Sequence, residues 1–206
     1  MSEPRAVATG STGLLTNQEF DVTVTLDPVA TARGSDTLNM NRRIVILGFM
    51  ACGKTTVANE VARELNCHYI DLDSFITERA KRSPAEIITQ DGEAAFREVE
   101  TLALRDVLQD KEARVIALGG GTWTTPANRT LIALYDCLTV WLDAPFELCW
   151  KRITSENLNR PLAPDRGATQ SRFNVRRRDY QLAEKQVSVK DGATATDIAK
   201  EILMNP

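Results

Sequence analysis

Short runs of uninterrupted apolar residues alternate with longer amphipathic stretches along this chain from Arg42 onward. Arg43-Ile44-Val45-Ile46-Leu47-Gly48 has the length and continuity of a strand buried on both faces. A helical pattern follows from Lys54 to Leu65, then a second strand at Tyr69-Ile70-Asp71-Leu72-Asp73 and a helix from Ser74 to Lys81. Pro84 to about Leu108 reads as helical with a break near Asp91-Gly92. A third strand, Arg114-Val115-Ile116-Ala117-Leu118, stops at three glycines, and Leu138-Thr139-Val140-Trp141-Leu142 is a fourth. The pattern then predicts a helix from Phe146, a polar loop near 154–168 and a basic helix ending near Glu184. Val187-Ser188-Val189 makes a weak fifth strand, and Ala195 to Met204 a closing helix. Strands alternating with helices predict an α/β domain with a mostly parallel sheet.

Residues 1–40 break this rhythm, being rich in Thr, Ser, Ala and Gly with little helical periodicity. They are expected to form a loosely ordered N-terminal extension to a domain spanning 41–206. The alternation in Phe20-Asp21-Val22-Thr23-Val24-Thr25-Leu26 allows one added strand instead, and Met40 is an alternative start of translation.

Composition narrows the class. With 43% hydrophobic and 26% charged residues the chain can bury a core, and its net charge of −3 gives no pull toward nucleic acid or an anionic membrane. No apolar run reaches membrane-spanning length, and the start lacks the pattern of a signal peptide. Cys52, Cys67, Cys137 and Cys149 show no metal-ligand spacing, and His68 is the only histidine. Zinc chemistry and a histidine-based triad are therefore disfavoured. Reduced thiols in a cytoplasmic protein, acting as a monomer, are the expectation.

Gly48-Phe49-Met50-Ala51-Cys52-Gly53-Lys54-Thr55 fits the phosphate-loop pattern GxxxxGK[ST] in full, after a strand and before a helix. Such a loop curls so that backbone N–H groups point at phosphate oxygens, aided by the helix N-terminus. Lys54 can reach the β- and γ-phosphates and the Thr55 hydroxyl can ligate Mg²⁺. Ala51 stands where many small kinases have glycine. Its methyl resists positive φ, and the loop is expected to form still if that position has negative φ. Cys52, close to Lys54 and a helix N-terminus, is expected to have a lowered thiol pKa if it faces the nucleotide. The plainer reading makes it a small residue standing in for Ser or Gly.

A phosphate loop names no acceptor, so other residues must. Asp71 and Asp73 end the second strand, where alternation puts both carboxylates on one side at the sheet's carboxyl edge. One can organise Mg²⁺ through water and the other can accept a hydroxyl proton; a purely capping role is the alternative. Gly119-Gly120-Gly121 lets a ligand approach the backbone closely.

In five ordered blocks the chain resembles the shikimate kinase family: Gly48–Thr56, Asp71-Leu72-Asp73, Gly92-Glu93-Ala94-Ala95-Phe96-Arg97-Glu98-Val99-Glu100, Gly119-Gly120-Gly121 and Arg160-Pro161-Leu162. The resemblance implies a three-layer P-loop kinase fold with a five-stranded parallel sheet and a mobile lid. It implies transfer of phosphate from MgATP to the 3-hydroxyl of shikimate, in aromatic amino-acid biosynthesis. Carried over, Ala51, Cys52, Gly53, Lys54, Thr55 and Thr56 would bind ATP, with Arg152 near the adenine and Arg160 on the lid. Thr55 and Asp71 would serve Mg²⁺. Asp73 would hold the acceptor hydroxyls and act as base, with Lys54 and Arg160 as its catalytic partners. Arg97 would pair with the shikimate carboxylate, and Gly119, Gly120 and Gly121 would line the ring.

The family carries a second carboxylate-binding arginine four residues before a tyrosine. That spacing selects Arg176, on one helical face with Tyr180, while Arg177 stays open. Two other readings remain: a kinase for another small metabolite such as a sugar acid, and a catalytically silent nucleotide-binding module.

Overall fold

The computed structural model describes residues 42–110, 112–155, 162–163 and 165–204. The expected extension, and Arg160 with most of its loop, lie outside the described residues. Five parallel strands, β1 (Ile44–Leu47), β2 (His68–Asp71), β3 (Ala113–Ala117), β4 (Leu138–Asp143) and β5 (Lys185–Ser188), form one sheet in the order β2-β3-β1-β4-β5. β1 sits at its centre, and Val45, Ile46 and Leu47 are wholly buried, as a strand covered on both faces requires.

The helices are α1 (Lys54–Glu64), α2 (Leu72–Ala80), α3 (Pro84–Gln109), α4 (Pro126–Leu134), α5 (Phe146–Ser155), α6 (Arg166–Tyr180) and α7 (Ala195–Met204). Right-handed crossovers decide their side. The chain leaves β1 toward one edge through α1 and leaves β3 toward the other through α4, so α1 and the α2–α6 group cover opposite faces. α7 packs on α1, burying Ile198, Ala199 and Ile202. Because β1 and β3 are neighbours whose connections diverge, their carboxyl ends open a crevice, the usual ligand position in such sheets. The loops bordering it are Gly48–Gly53 and Gly119–Gly121.

Several boundaries move from the sequence reading. The second strand stops at Asp71, and Leu72 and Asp73 begin α2, because the Asp71 side chain accepts the Ser74 N–H at 3.0 Å and caps the helix. The alternation argument for Asp71 and Asp73 therefore fails: one is an N-cap, the other lies in the first helical turn. The basic helix ends at Tyr180, four residues before Glu184, and β5 starts two residues earlier than expected. A turn of 3₁₀ helix at Thr122–Thr124 and the whole of α4 had no signal strong enough to be read, since α4 buries only Asn128 and Ile132.

The break expected at Asp91-Gly92 is a kink inside α3, where Gly92 takes φ 91° and ψ 163°. That conformation belongs to glycine alone. Ser83 and Glu86 form a capping box ahead of it, with Pro84 at the first position. Beyond the kink, Glu93, Arg97 and Glu100 recur at i, i+4 and i+7 on one face, which delivers them together to the mouth of the crevice.

Candidate active site

The phosphate loop wraps the N-terminus of α1. Gly53 precedes the helix with φ 103° and offers no side-chain cap, and no acidic residue occupies the first turn. The helix end therefore presents its N–H groups and positive dipole end to an anion. Lys54 Nζ donates to Phe49 O at 2.9 Å, across the loop. Arg152, reaching in from α5, donates to Ala51 O at 3.1 Å, so its guanidinium flanks the loop backbone.

Two open readings of this loop are decided by its geometry. Ala51 has φ 59°, in the left-handed region, so the easier negative φ is not the one the loop adopts. The curl of the loop imposes that geometry, and a residue other than glycine there costs about 1–2 kcal/mol. Cys52 is 1% exposed, with Sγ turned back beside Gly48, and burial pushes its thiol pKa up against the smaller opposing pull of Lys54. Proximity to a cation does not activate a thiol that has lost its water. Alkylation near pH 7.5 is accordingly expected to label the partly exposed Cys67 first and Cys52 slowly, with activity retained. Mass-spectrometric mapping checks this, and preferential labelling of Cys52 would refute the burial argument.

Thr55 Oγ1 donates to Asp71 Oδ2 at 2.5 Å. The capping role and the metal role of Asp71 are thus compatible, because its two oxygens serve different donors. No group of three or more His, Cys, Asp or Glu side chains arranged for a metal occurs among the described residues. One hydroxyl and one carboxylate fit Mg²⁺ held mainly by nucleotide oxygens and water, the usual way this ion is bound.

Two cavities meet here. The larger, about 530 Å³, is lined by residues 50–57 with Asp71, Asp73, Arg152 and the start of α7. The smaller, about 290 Å³, is lined by Ser83, Pro84, Ile88, Phe96, Arg97, Glu100, Gly119–Gly121, Leu162 and Arg176. Met50, Asp73 and Gly120 belong to both. Asp73 therefore stands on the boundary between the chamber at the phosphate loop and a second one that Arg97 and Arg176 line. Water reaches its side chain through the open mouth, yet protein walls it on most sides. This crowding pushes its pKa up to about 6; Lys54 opposes the rise, while Asp71 and Glu100 add to it.

In the smaller cavity Arg97 is held by two carboxylates, Glu100 at 2.7 Å and Glu93 at 2.8 Å. Glu100 is wholly buried, and its other oxygen accepts the Thr122 hydroxyl at 2.6 Å. Sequence reasoning quoted Glu100 but gave it no role. The i, i+3 spacing from Arg97 was the signal that could have found it. The triple glycine is required by space. A Cβ on Gly121 would strike the Arg97 guanidinium, and one on Gly119 would come within 2.7 Å of Asp73 Oδ1 and 2.8 Å of Glu100 Oε1. Arg176 is 6% exposed and donates to Gly120 O at 3.1 Å, and among the described residues it has no carboxylate partner. Arg177 faces elsewhere, pairing with Asp143 at 2.8 Å and lying over Trp141. Of the predicted site residues, Arg160 lies outside the described residues, and Thr56 and Cys52 contribute to the larger cavity wall.

A parallel sheet whose central strand runs through a phosphate loop into a helix, with an acceptor chamber across a single carboxylate, defines a P-loop phosphotransferase. The chain belongs to the shikimate kinase family: residues 50–205 match the family model described as "Shikimate kinase". It is 35% identical over 163 residues to the shikimate kinase of Enterococcus faecalis, covering 78% of this chain and 95% of that protein. It is also 35% identical over 162 residues to that of a Synechococcus species, covering 77% and 84%. Among solved structures, shikimate kinase from Acinetobacter baumannii in complex with shikimate superposes with a TM-score of 0.73 at 30% identity, covering 79% of this chain and 91% of that one. A gluconokinase from Sinorhizobium meliloti, at 16% identity and TM-score 0.56, shares the fold alone.

Proposed function

We propose that this chain transfers the γ-phosphoryl group of ATP to the 3-hydroxyl of shikimate, in aromatic amino-acid biosynthesis, with the larger cavity holding the nucleotide and the smaller one the acceptor. The observation that carries this reading is the smaller cavity itself: Arg97 and Arg176 line it together with a carboxylate, Asp73, that also lines the nucleotide cavity. Guanidinium groups bind carboxylate through paired, charge-assisted hydrogen bonds, and a neutral sugar cannot use them.

In this reading the acceptor carboxylate lies between Arg97 and Arg176, and its ring rests on Gly119, Gly120 and Gly121. Asp73 receives the 3-hydroxyl proton as the new O–P bond forms and the bond to the β-phosphate oxygen breaks, releasing ADP. Lys54, with the N–H groups of Gly53, Thr55 and Thr56, neutralises the phosphates, and Arg152, bonded to the Ala51 carbonyl, adds positive charge to the nucleotide cavity. Mg²⁺ would be held at Thr55, with Asp71 reaching it through water, and when bound it offsets charge on the transferred group. Arg160 takes the phosphate-covering role that its place in the family signature implies. Both cavities are built by one chain, which supports a monomeric enzyme. The four unpaired thiols suit a reducing, cytoplasmic setting. No helix among the described residues is long and apolar enough to cross a membrane.

Purified protein with MgATP is expected to phosphorylate shikimate and to leave a neutral cyclic polyol such as inositol unreacted, followed by ADP release. Equal turnover of the polyol would defeat the acceptor assignment. Absence of turnover with shikimate would favour the silent-module alternative.

A further inference from the structure

Tyr180 is 2% exposed at the end of α6, and its hydroxyl meets both Arg176 and the glycine loop. It donates to the Gly120 carbonyl at 2.5 Å. Arg176, one helical turn earlier, donates to the same oxygen at 3.1 Å. A carbonyl oxygen has two lone pairs, so these donors satisfy it fully. Because the peptide unit is planar and trans, fixing the Gly120 carbonyl toward α6 aims the Gly121 N–H the opposite way. Among the described residues no acceptor bonds the N–H groups of Gly119, Gly120 or Gly121. The loop thus keeps its donors unspent along the wall of the smaller cavity.

The tyrosine ring is itself held. Trp141 lies against it with centroids 6.2 Å apart, and Trp123 Nε1 donates to the backbone carbonyl of Asp179 at 2.9 Å. Burial drives the phenol pKa upward, so the group stays a neutral donor at any working pH. The loop has no side chain of its own to hold it in place. Gly120 also packs closely on the phosphate loop, where an added Cβ would lie 3.4 Å from Met50 N.

We propose that Tyr180 is a positioning residue for the acceptor: its hydroxyl, acting through the Gly120 carbonyl, orients the triple-glycine peptide toward the substrate and completes the seating of Arg176. The proposal rests on the acceptor reading given above. It predicts a selective defect. Tyr180→Phe keeps the ring, and Arg176 still satisfies the carbonyl, so the fold is retained. The KM for shikimate is expected to rise roughly tenfold, as loss of one oriented hydrogen bond would give, while the KM for MgATP stays within about twofold.

The test pairs steady-state kinetics with backbone ¹⁵N order parameters of Gly119–Gly121, measured by NMR in the full chain with no ligand added. Order parameters at these amides are expected to fall in Tyr180→Phe, while those of β1 keep their wild-type values. An unchanged KM for shikimate, or equal rises in both KM values, overturns the proposal while wild-type turnover keeps the acceptor reading intact. If the wild-type enzyme ignores shikimate, the acceptor reading fails instead. The relaxation data then decide on their own whether Tyr180 holds the loop, and unchanged glycine order parameters reject that too.

Discussion

Replacing Asp73 by Asn is expected to lower kcat by roughly 10²-fold or more, because the amide keeps the size of the side chain but cannot take a proton. Binding of MgATP should persist, since Lys54, the loop amides and Thr55 are untouched. The same substitution gives a second, independent reading of the carboxylate. The pKa of Asp73 is about 6 in the fold against an ordinary 3.8, so the fold favours its protonated form. The stability this contributes is complete below about pH 3.8 and is lost as pH rises through about 6. The Asn variant has no such loss. Its melting temperature relative to wild type should therefore climb between pH 4 and 6.5 and then level off. A full-rate variant would remove the case for a base and leave alignment to carry the reaction. A melting difference independent of pH would show that the crowding around Asp73 is not felt by its proton.

Glu100→Ala is the substitution expected to cost the fold most. Glu100 is wholly buried and pairs with Arg97 and Thr122. Removing one member of a buried ion pair typically costs about 3–5 kcal/mol, since the remaining charge is stranded. For a domain of this size the melting temperature should fall by roughly 10 °C. Arg97 would then lean wholly on Glu93, away from its position under Gly121, and the KM for shikimate should rise in step. Calorimetric unfolding and steady-state kinetics on one preparation test both. A variant within a degree or two of wild type would mean that Arg97 does not depend on Glu100. Glu93→Ala should be far milder, because Glu93 is 41% exposed and its pair with Arg97 is partly screened.

The strands and the phosphate loop were legible because their signals are local: a short apolar run, a glycine-rich turn, a lysine at a fixed offset. The Gly92 break was legible for the same reason. What escaped depends on side-chain bonds and packing that residue type alone does not reveal. Whether Asp73 belongs to a strand or a helix is decided by Asp71 capping Ser74, a bond that an alternating Asp-Leu-Asp pattern does not announce. Ala51 takes a positive φ because the loop must close around an anion site, and residue preference yields to that. For Cys52 the sequence shows the cation two residues away but not the burial that outweighs it, and that burial fits the plainer reading of a small residue in the loop. Glu100 and Tyr180 look like ordinary helix residues until α3, α6 and the glycine loop are packed together.

The wall that the two cavities share governs what a synthetic inhibitor spanning them has to look like. Its head, in the smaller chamber, needs a carboxylate to engage Arg97 and Arg176, and it can be largely apolar along Pro84, Ile88 and Phe96. Any linker to a nucleotide-like tail must pass Asp73, between Met50 and Gly120. Above pH 6 that gate is negatively charged, so an anionic linker copying the phosphate chain meets repulsion there. A short linker carrying a hydrogen-bond donor, neutral or cationic, would turn the Asp73 carboxylate into an anchor.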